Sequence, residues 1–292
     1  MSKKKILFII NPISGLGKQK TIEKQAEKII DKTICDFSFA YTKGPRHATE
    51  IARNASFDHD VVVAVGGDGT INEIALGIKD TSATLAIVPT GSGNGLARCL
   101  NIPLNISKAL SLINYGATKS IDAVSINNNL FVNLAGIGFD AEVGHLFASN
   151  GKRGGLSYVN IVASELQKYK PQKYTLEWDG KKETFKAFLV SFANSTQYGN
   201  NALIAPEAKV DDGLLDVCIL KEFPLFISPV LAIRLFSGTI NDSPYIHSFQ
   251  TKHIVVQSEK DPIKIHVDGE PLFTMGPLHI EVHHKSVKVI VP

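Results

Sequence analysis

The sequence predicts an N-terminal, mostly parallel α/β domain followed by an antiparallel β domain. Two observations carry this expectation. Up to about residue 120, short β-branched apolar runs alternate with segments of helical spacing, the pattern of a parallel sheet covered by helices on both faces. Beyond that point short strand patterns dominate, joined by tight turns such as Asp179-Gly180 and Asp268-Gly269. At 292 residues the chain accommodates two domains of ordinary size. The expected division is 1–120 and 121–292.

In the first part, 6–10 reads as a buried strand and 19–31 as a helix with Ile22, Ala26, Ile29 and Ile30 on its apolar face. A strand at 37–41 and a helix at 47–55 follow. The alternation continues with 60–65, 70–79, 85–88 and 94–100, and 107–114 is one more helix. In the second part, strands are expected at 121–126, 130–134, 174–178, 184–193, 215–220, 253–257, 263–267, 278–282 and 287–291. Helices are expected at 155–168 and 225–236. The last pattern is a strand, and no helix pattern after it returns toward the first domain.

Bulk properties narrow the function classes. Apolar residues form 44% of the chain and charged residues 20%, a globular composition rather than a disordered one. A net charge of +3 is too small to argue for nucleic acid, and suits anionic phosphates or a negative membrane surface only weakly. Cys35, Cys99 and Cys218 lie far apart without a CxxC pair, which argues against a disulfide framework or a zinc knuckle and fits a reducing compartment. Lys3-Lys4-Lys5 precede only a short apolar run before Asn11-Pro12, too short for a secretory leader. No stretch reaches the ~20 apolar residues of a membrane-spanning helix. The longest candidate, 225–236, is interrupted by Ser228-Pro229 and Arg234. It reads first as core packing, with contact to a membrane as the alternative. His279, Glu281 and His283 share one face of a strand pattern, read as a solvated face rather than a metal set.

The most informative motif is Gly66-Gly67-Asp68-Gly69-Thr70, between the apolar run 61–65 and a helical pattern beginning Ile71-Asn72-Glu73. Glycines let backbone approach a ligand closely, and helix N-terminal amides offer donors to an anion. Phosphate is the expected anion, and Asp68 is the expected holder of the Mg²⁺ that accompanies it. The plain alternative is a strand-helix turn with Asp or Thr as N-cap. After the first strand, Asn11-Pro12-Ile13-Ser14-Gly15-Leu16-Gly17-Lys18 joins glycines, a hydroxyl and a lysine, chemistry suited to a polyphosphate although the Walker A spacing is absent. After the fourth strand, Pro89-Thr90-Gly91-Ser92-Gly93-Asn94-Gly95 adds three more glycines, with Asn94 also a candidate helix cap. Three glycine-rich loops at three strand ends converge on one nucleotide, since ligands of such sheets bind beyond the carboxyl ends of the strands.

With these motifs the chain resembles the catalytic family of diacylglycerol and sphingosine kinases. The resemblance rests on Asn11-Pro12-x-Ser14-Gly15-x-Gly17-Lys18, Thr42 with His47-Ala48, Gly66-Gly67-Asp68-Gly69-Thr70-x-Asn72-Glu73 and Pro89-x-Gly91-Ser92-Gly93-Asn94-x-x-Ala97-Arg98. It continues through Gly136-Ile137-Gly138-Phe139-Asp140-Ala141, Asn194-x-x-x-Tyr198-Gly199, Ala205-Pro206-x-Ala208-x-x-Asp211-Asp212-Gly213-x-Leu215-Asp216 and Asp268-Gly269-Glu270-Pro271. It spans essentially the whole chain, in order. The resemblance implies a nucleotide-binding α/β domain followed by an antiparallel β-sandwich-like domain, with ATP held between them. The ATP-binding residues it implies are Asn11, Pro12, Ser14, Gly15, Thr42, Gly66, Gly67, Asp68, Gly69, Thr70, Asn72 and Ser92. It implies Glu270 as the base that activates a lipid hydroxyl, with Asp68 acting beside Mg²⁺ at the phosphates. It implies a structural Mg²⁺ at Asp212 and the backbone carbonyls of Lys209 and Leu214, and it places Asp140 and Glu142 on the acceptor side. Phosphoryl transfer needs positioning and charge neutralisation more than covalent chemistry, and such residues supply both.

The Gly91-Ser92-Gly93-Asn94 form is more like sphingosine kinases, yet the chain lacks their long insertions, so diacylglycerol, a sphingoid base and related lipids all stand as acceptors. Asp268-Gly269 and Asp211-Asp212-Gly213, taken alone, are turns. An NAD kinase shares Gly-Gly-Asp-Gly-Thr, but Asn72-Glu73, the first loop and Asp268–Glu270 match the lipid kinases better. A non-catalytic nucleotide- or lipid-binding protein is the remaining alternative, against which Asp68, Asp212 and Glu270 argue. The expected partners are a lipid substrate and, transiently, a membrane surface, with no nucleic acid; a homodimer is compatible. The expected location is cytoplasmic and peripheral to a membrane.

Overall fold

A computed structural model describes residues 3–14, 21–149 and 155–292. The chain separates into two compact units, Met1–Ala123 with His284–Pro292, and Val124–His283.

The first unit contains β1 (Lys4–Ile10), α1 (Ile22–Ile29), β2 (Cys35–Tyr41), α2 (His47–Ala55), β3 (Val61–Gly66), α3 (Asp68–Ile78), β4 (Thr84–Pro89), α4 (Gly95–Cys99) and α5 (Ile106–Tyr115). β5 (Ala117–Ile126) leaves it. Strand order is β4-β3-β1-β2, every pair parallel. The residues of β3 are buried throughout, as expected of a strand covered on both faces. α1 turns Ile22 and Ala26 inward, as its spacing predicts.

The second unit contains β6 (Asn129–Phe131), β7 (Leu134–Gly138), α6 (Phe139–Ser149), α7 (Gly155–Leu166), β8 (Gln172–Trp178), β9 (Lys181–Ala193) and β10 (Leu215–Lys221). A 3-10 turn (Leu225–Ile227), α8 (Ser228–Ser237), β11 (Ile246–Thr251), β12 (His253–Ser258), β13 (Ile263–Val267), β14 (Glu270–Thr274) and the first part of β15 (Leu278–Val291) complete it. Its strand pairs are antiparallel. β9 pairs with β8 through its first half and with β7 through its second, while β10 lies along its other edge. Alternate positions, among them Ile137, Leu176, Val190, Phe192, Val217, Ile254, Ile265 and Ile280, form one core, the period of two of a sheet with one face packed inward. The unit is antiparallel and sandwich-like, and the first is α/β with a parallel sheet, as the sequence predicts.

Several boundaries differ from the periodicity. The expected strand 130–134 is two strands, β6 and β7. It breaks because Val132, Asn133 and Leu134 turn their N–H groups to the carboxylate of Asp268 rather than to a neighbouring strand. The two expected strands 278–282 and 287–291 are one, β15, with Lys285 at φ 51° inside it. β11, β14 and α6 have no counterpart in the sequence reading. The last nine residues join the first unit, because Lys288 and Val289 pair in parallel with Thr84 and Leu85 of β4. The return to the first unit is made by a strand.

Candidate active site

The parallel register of the first unit sets its loops side by side. Ile10 lies opposite Val65, and Gly66 opposite Pro89. Pairing continues past the strand ends: Asn11 N donates to Val65 O (3.1 Å), Thr42 N to Ile10 O (2.9 Å) and Thr90 N to Gly66 O (2.9 Å). The loops after β1, β2, β3 and β4 therefore line one edge of one sheet, where open α/β sheets bind ligands.

Side chains tie these loops together. Asn11 Nδ2 donates to Thr70 Oγ1 (3.2 Å) and Asn11 Oδ1 accepts from Ile13 N (3.1 Å). The hydroxyls of Ser14 and Thr90 lie 3.0 Å apart. Gly67 and Gly91 meet backbone to backbone; a Cβ on Gly91 would lie 2.5 Å from Gly67 Cα, so the approach requires glycine. α3 opens at Asp68 behind Gly67, with no side-chain cap. Its first-turn amides and the positive end of its dipole face the loops. Asp68 Oδ1 accepts from Gly95 N (2.8 Å), which closes the start of α4. A carboxylate has about four lone-pair positions, so this bond is compatible with a cation at the same group.

Asn94 stands at the N-cap of α4, the candidate position, but its side chain makes no cap bond. It sits in the left-handed region (φ 53°, ψ 47°). Its Nδ2 donates instead to Gly91 O (2.9 Å), holding the loop that presents exposed Ser92. Thr42 is buried and Asn72 half-buried. Gly15, with Gly17 and Lys18, lies outside the described residues. Glu73 carries a role that sequence reasoning did not assign. Its two carboxylate oxygens accept from Arg46 N and Ala48 N (both 2.9 Å), and its carbonyl accepts from Thr49 Oγ1 (2.9 Å). A charge on α3 thus satisfies the start of α2 and fixes the loop that follows Thr42. No sequence signal pointed there beyond the motif in which Glu73 stands.

In the second unit, Asp268 and Gly269 make the β13–β14 turn with φ 47° and 85°, and Val267 pairs with Glu270 across it. Two left-handed residues between paired strands are the favoured two-residue hairpin. Asp268 does more than turn. It is 3% exposed; Oδ1 accepts from Asn133 N (3.0 Å) and Leu134 N (2.9 Å), and Oδ2 from Val132 N (3.0 Å). Glu270 is exposed.

Asp140, at the start of α6, is turned inward. Tyr198 donates its hydroxyl to Asp140 Oδ2 (3.0 Å), His266 Nε2 lies 3.1 Å from the same oxygen, and Ala141 N donates to Oδ1 (2.8 Å). Both oxygens of Glu142 accept from Lys264 Nζ at 2.8 Å. Neither Lys264 nor His266 stood out in the sequence; each is an alternate residue of β13 that gains meaning only from α6 beside it. Asp212 Oδ1 accepts from Leu214 N (3.0 Å). Burial pushes the nearby Asp216 carboxyl above its ordinary value, hydrogen bonds from Gln250 oppose this, and Asp212 and Glu207 add to it. Among the described residues no three His, Cys, Asp or Glu side chains converge as a metal set.

Comparison with known proteins agrees with this layout. Residues 5–126 match the family described as "Diacylglycerol kinase catalytic domain", and residues 133–291 match the "YegS C-terminal NAD kinase beta sandwich-like domain". The chain is similar to a protein of Bacillus subtilis (strain 168) named "Diacylglycerol kinase", with 32% identity over 284 residues, 91% of this chain and 90% of that protein. It is similar in structure to a diacylglycerol kinase from Bacillus anthracis str. Sterne, with a TM-score of 0.78 at 25% identity, covering 100% of this chain and 98% of that one. Yeast NADH kinase complexed with NADH reaches a TM-score of 0.52 at 10% identity, covering 100% of this chain and 84% of that one, a likeness of fold alone.

Proposed function

The chain belongs to the diacylglycerol kinase family of lipid kinases, and on that premise we propose that it transfers the γ-phosphoryl group of ATP to the hydroxyl of an uncharged lipid. The observation that carries the reading is the uncapped start of α3, set by the Gly67–Gly91 contact among the loops of four parallel strands. That edge offers backbone amides, a helix dipole and hydroxyls to a polyanion. Asn11, Pro12, Ser14, Thr42, Gly66, Gly67, Gly69, Thr70, Asn72 and Ser92 are the proposed nucleotide residues, and Gly15 belongs to the same proposal.

In the proposed reaction the lipid hydroxyl oxygen forms a bond to the γ-phosphorus. The bond from that phosphorus to the β–γ bridging oxygen breaks, ADP leaves, and the hydroxyl proton passes to the Glu270 carboxylate. Asp68 is the proposed holder of Mg²⁺, which supplies charge neutralisation at the phosphates. Asp140 acts indirectly, by holding Tyr198 and His266. Glu142 is already neutralised by Lys264, which favours an uncharged acceptor such as diacylglycerol over an amine-bearing sphingoid base. A transient contact with a membrane surface belongs to this reading.

Radiolabelled ATP offered with diacylglycerol, sphingoid base, ceramide, phosphatidylglycerol and NAD tests it. Labelled phosphatidic acid is the expected product. Labelled NADP, or no labelled lipid, overturns the reading. In the same assay Asp68→Asn keeps the size of the side chain and removes its charge. Turnover should fall by about 10²-fold, as for loss of one electrostatic stabiliser, and near-normal turnover at saturating Mg²⁺ would remove Asp68 from the mechanism.

A second, structural Mg²⁺ at Asp212 is also proposed. The Asp212 carboxylate keeps lone pairs beyond the one that accepts from Leu214 N, and an ion held by one carboxylate, the carbonyls of Lys209 and Leu214 and several waters would suit magnesium. Mg²⁺ should then raise the melting temperature of the wild type by linkage, and raise that of Asp212→Ala less. Equal shifts in both proteins would reject the assignment.

A further inference from the structure

The segment between Glu222 and Asp242 is apolar on two opposite faces. On one face Ile227, Leu231 and Leu235 pack with Phe188 and Leu220, the core role expected from the sequence. On the other, Phe226, Val230, Ile233 and Phe236 are 79%, 47%, 69% and 58% exposed. Val230, Ile233 and Phe236 follow at intervals of three and share one stripe of α8. A helix on the surface of a globular domain ordinarily turns charged and polar residues outward. Here Arg234 is the sole charged residue from 223 to 241.

These features select one occupant. Nothing acidic in 223–241 repels an anionic surface, and the single charge present is a cation beside Ile233. An outward face of aromatic and aliphatic side chains with a cation at its margin is a feature shared with helices that lie in a membrane interface. The acceptor proposed above is a lipid, and no helix among the described residues is long and apolar enough to cross a membrane. We propose that the outer face of 225–237 docks on the surface of an anionic lipid bilayer. The proposal rests on the lipid kinase reading for its choice of partner, but not for its test.

Sucrose-loaded vesicles of equal parts phosphatidylcholine and phosphatidylglycerol are sedimented with the full chain in the absence of ATP. The wild type should sediment with them. The double variant Ile233→Ser/Phe236→Ser should partition on the order of 10²-fold more weakly, about tenfold for each large side chain that no longer buries. Phe57→Ser, which removes a different exposed aromatic, 86% exposed on the first unit, should sediment like the wild type. Unchanged melting temperatures exclude misfolding. The proposal is overturned if the wild type stays in solution, or if the double variant binds as well as the wild type does. It is also overturned if the wild type is a dimer that the double variant dissolves while vesicle binding persists, for then a second copy covers the face. A chain that binds vesicles through this face yet phosphorylates no lipid sinks the kinase reading and leaves the docking surface. A chain that phosphorylates detergent-dispersed lipid yet ignores vesicles sinks the docking surface alone.

Discussion

Glu270→Gln should fold normally, keep its KM for ATP and lose lipid phosphorylation by about 10²-fold or more in kcat, the minimum contribution of a positioned general base. Glutamine preserves shape and hydrogen bonding but cannot accept a proton at neutral pH. Glu270 is exposed at the first position of β14, so its replacement should change stability by less than about 0.5 kcal/mol. The hairpin itself depends on Asp268 and Gly269, which carry the positive φ values. Rate and stability therefore separate cleanly at this residue. Purified variant and wild type are compared for lipid turnover, with circular dichroism as the control for folding. If the variant is folded and retains more than about a tenth of wild-type turnover, against the ~10² expected of a base, then Glu270 only completes a turn.

Asp268→Asn should produce the largest loss of stability of any change considered. Asn-Gly is as good a two-residue turn as Asp-Gly, so the substitution leaves the hairpin preference intact and isolates the carboxylate. That group is buried and accepts from three consecutive backbone N–H groups. Each hydrogen bond to a charged group contributes about 1.5–3 kcal/mol. Asparagine offers one acceptor oxygen, and its amide would face an N–H with another N–H. A destabilisation of roughly 3 kcal/mol is expected from one lost charge-assisted bond and one donor left unsatisfied. Equilibrium denaturation in urea measures it. A variant as stable as the wild type would show that the three N–H groups find other partners and that Asp268 is only a turn residue.

These two neighbours also mark how far the sequence can be read. The two-part fold was legible because periodicity is local. Continuous apolar runs such as Val61–Val65 announce strands buried on both faces, and alternation in 263–267 announces a strand with one inward face. Glycine-rich segments at strand ends likewise announced which loops would meet along one edge of the sheet. The same local signals failed where a distant group intervened. Nothing within 130–134 shows that the strand must break, because the cause is a carboxylate 134 to 136 residues away. β14 is short and half-exposed, so no alternation marks it. The return of 284–292 to the first unit depends on the pairing of Lys288 with Thr84, which no pattern within 284–292 records.

By itself the sequence determined where most strands and helices form, that parallel pairing precedes antiparallel pairing, and which loops carry glycine. Those outcomes follow from side-chain period, chain stiffness and the φ freedom of glycine, all properties of neighbours along the chain. Only the tertiary structure decided which polar groups meet. Asp68 closes the start of α4, Glu73 serves α2, Lys264 neutralises Glu142, and α8 keeps a second apolar face outward. For Asp68 and Glu73 the physical reason is shared. A buried charge or N–H must find a partner, and the partner available is set by which elements the fold makes adjacent, not by which residues are adjacent in the chain.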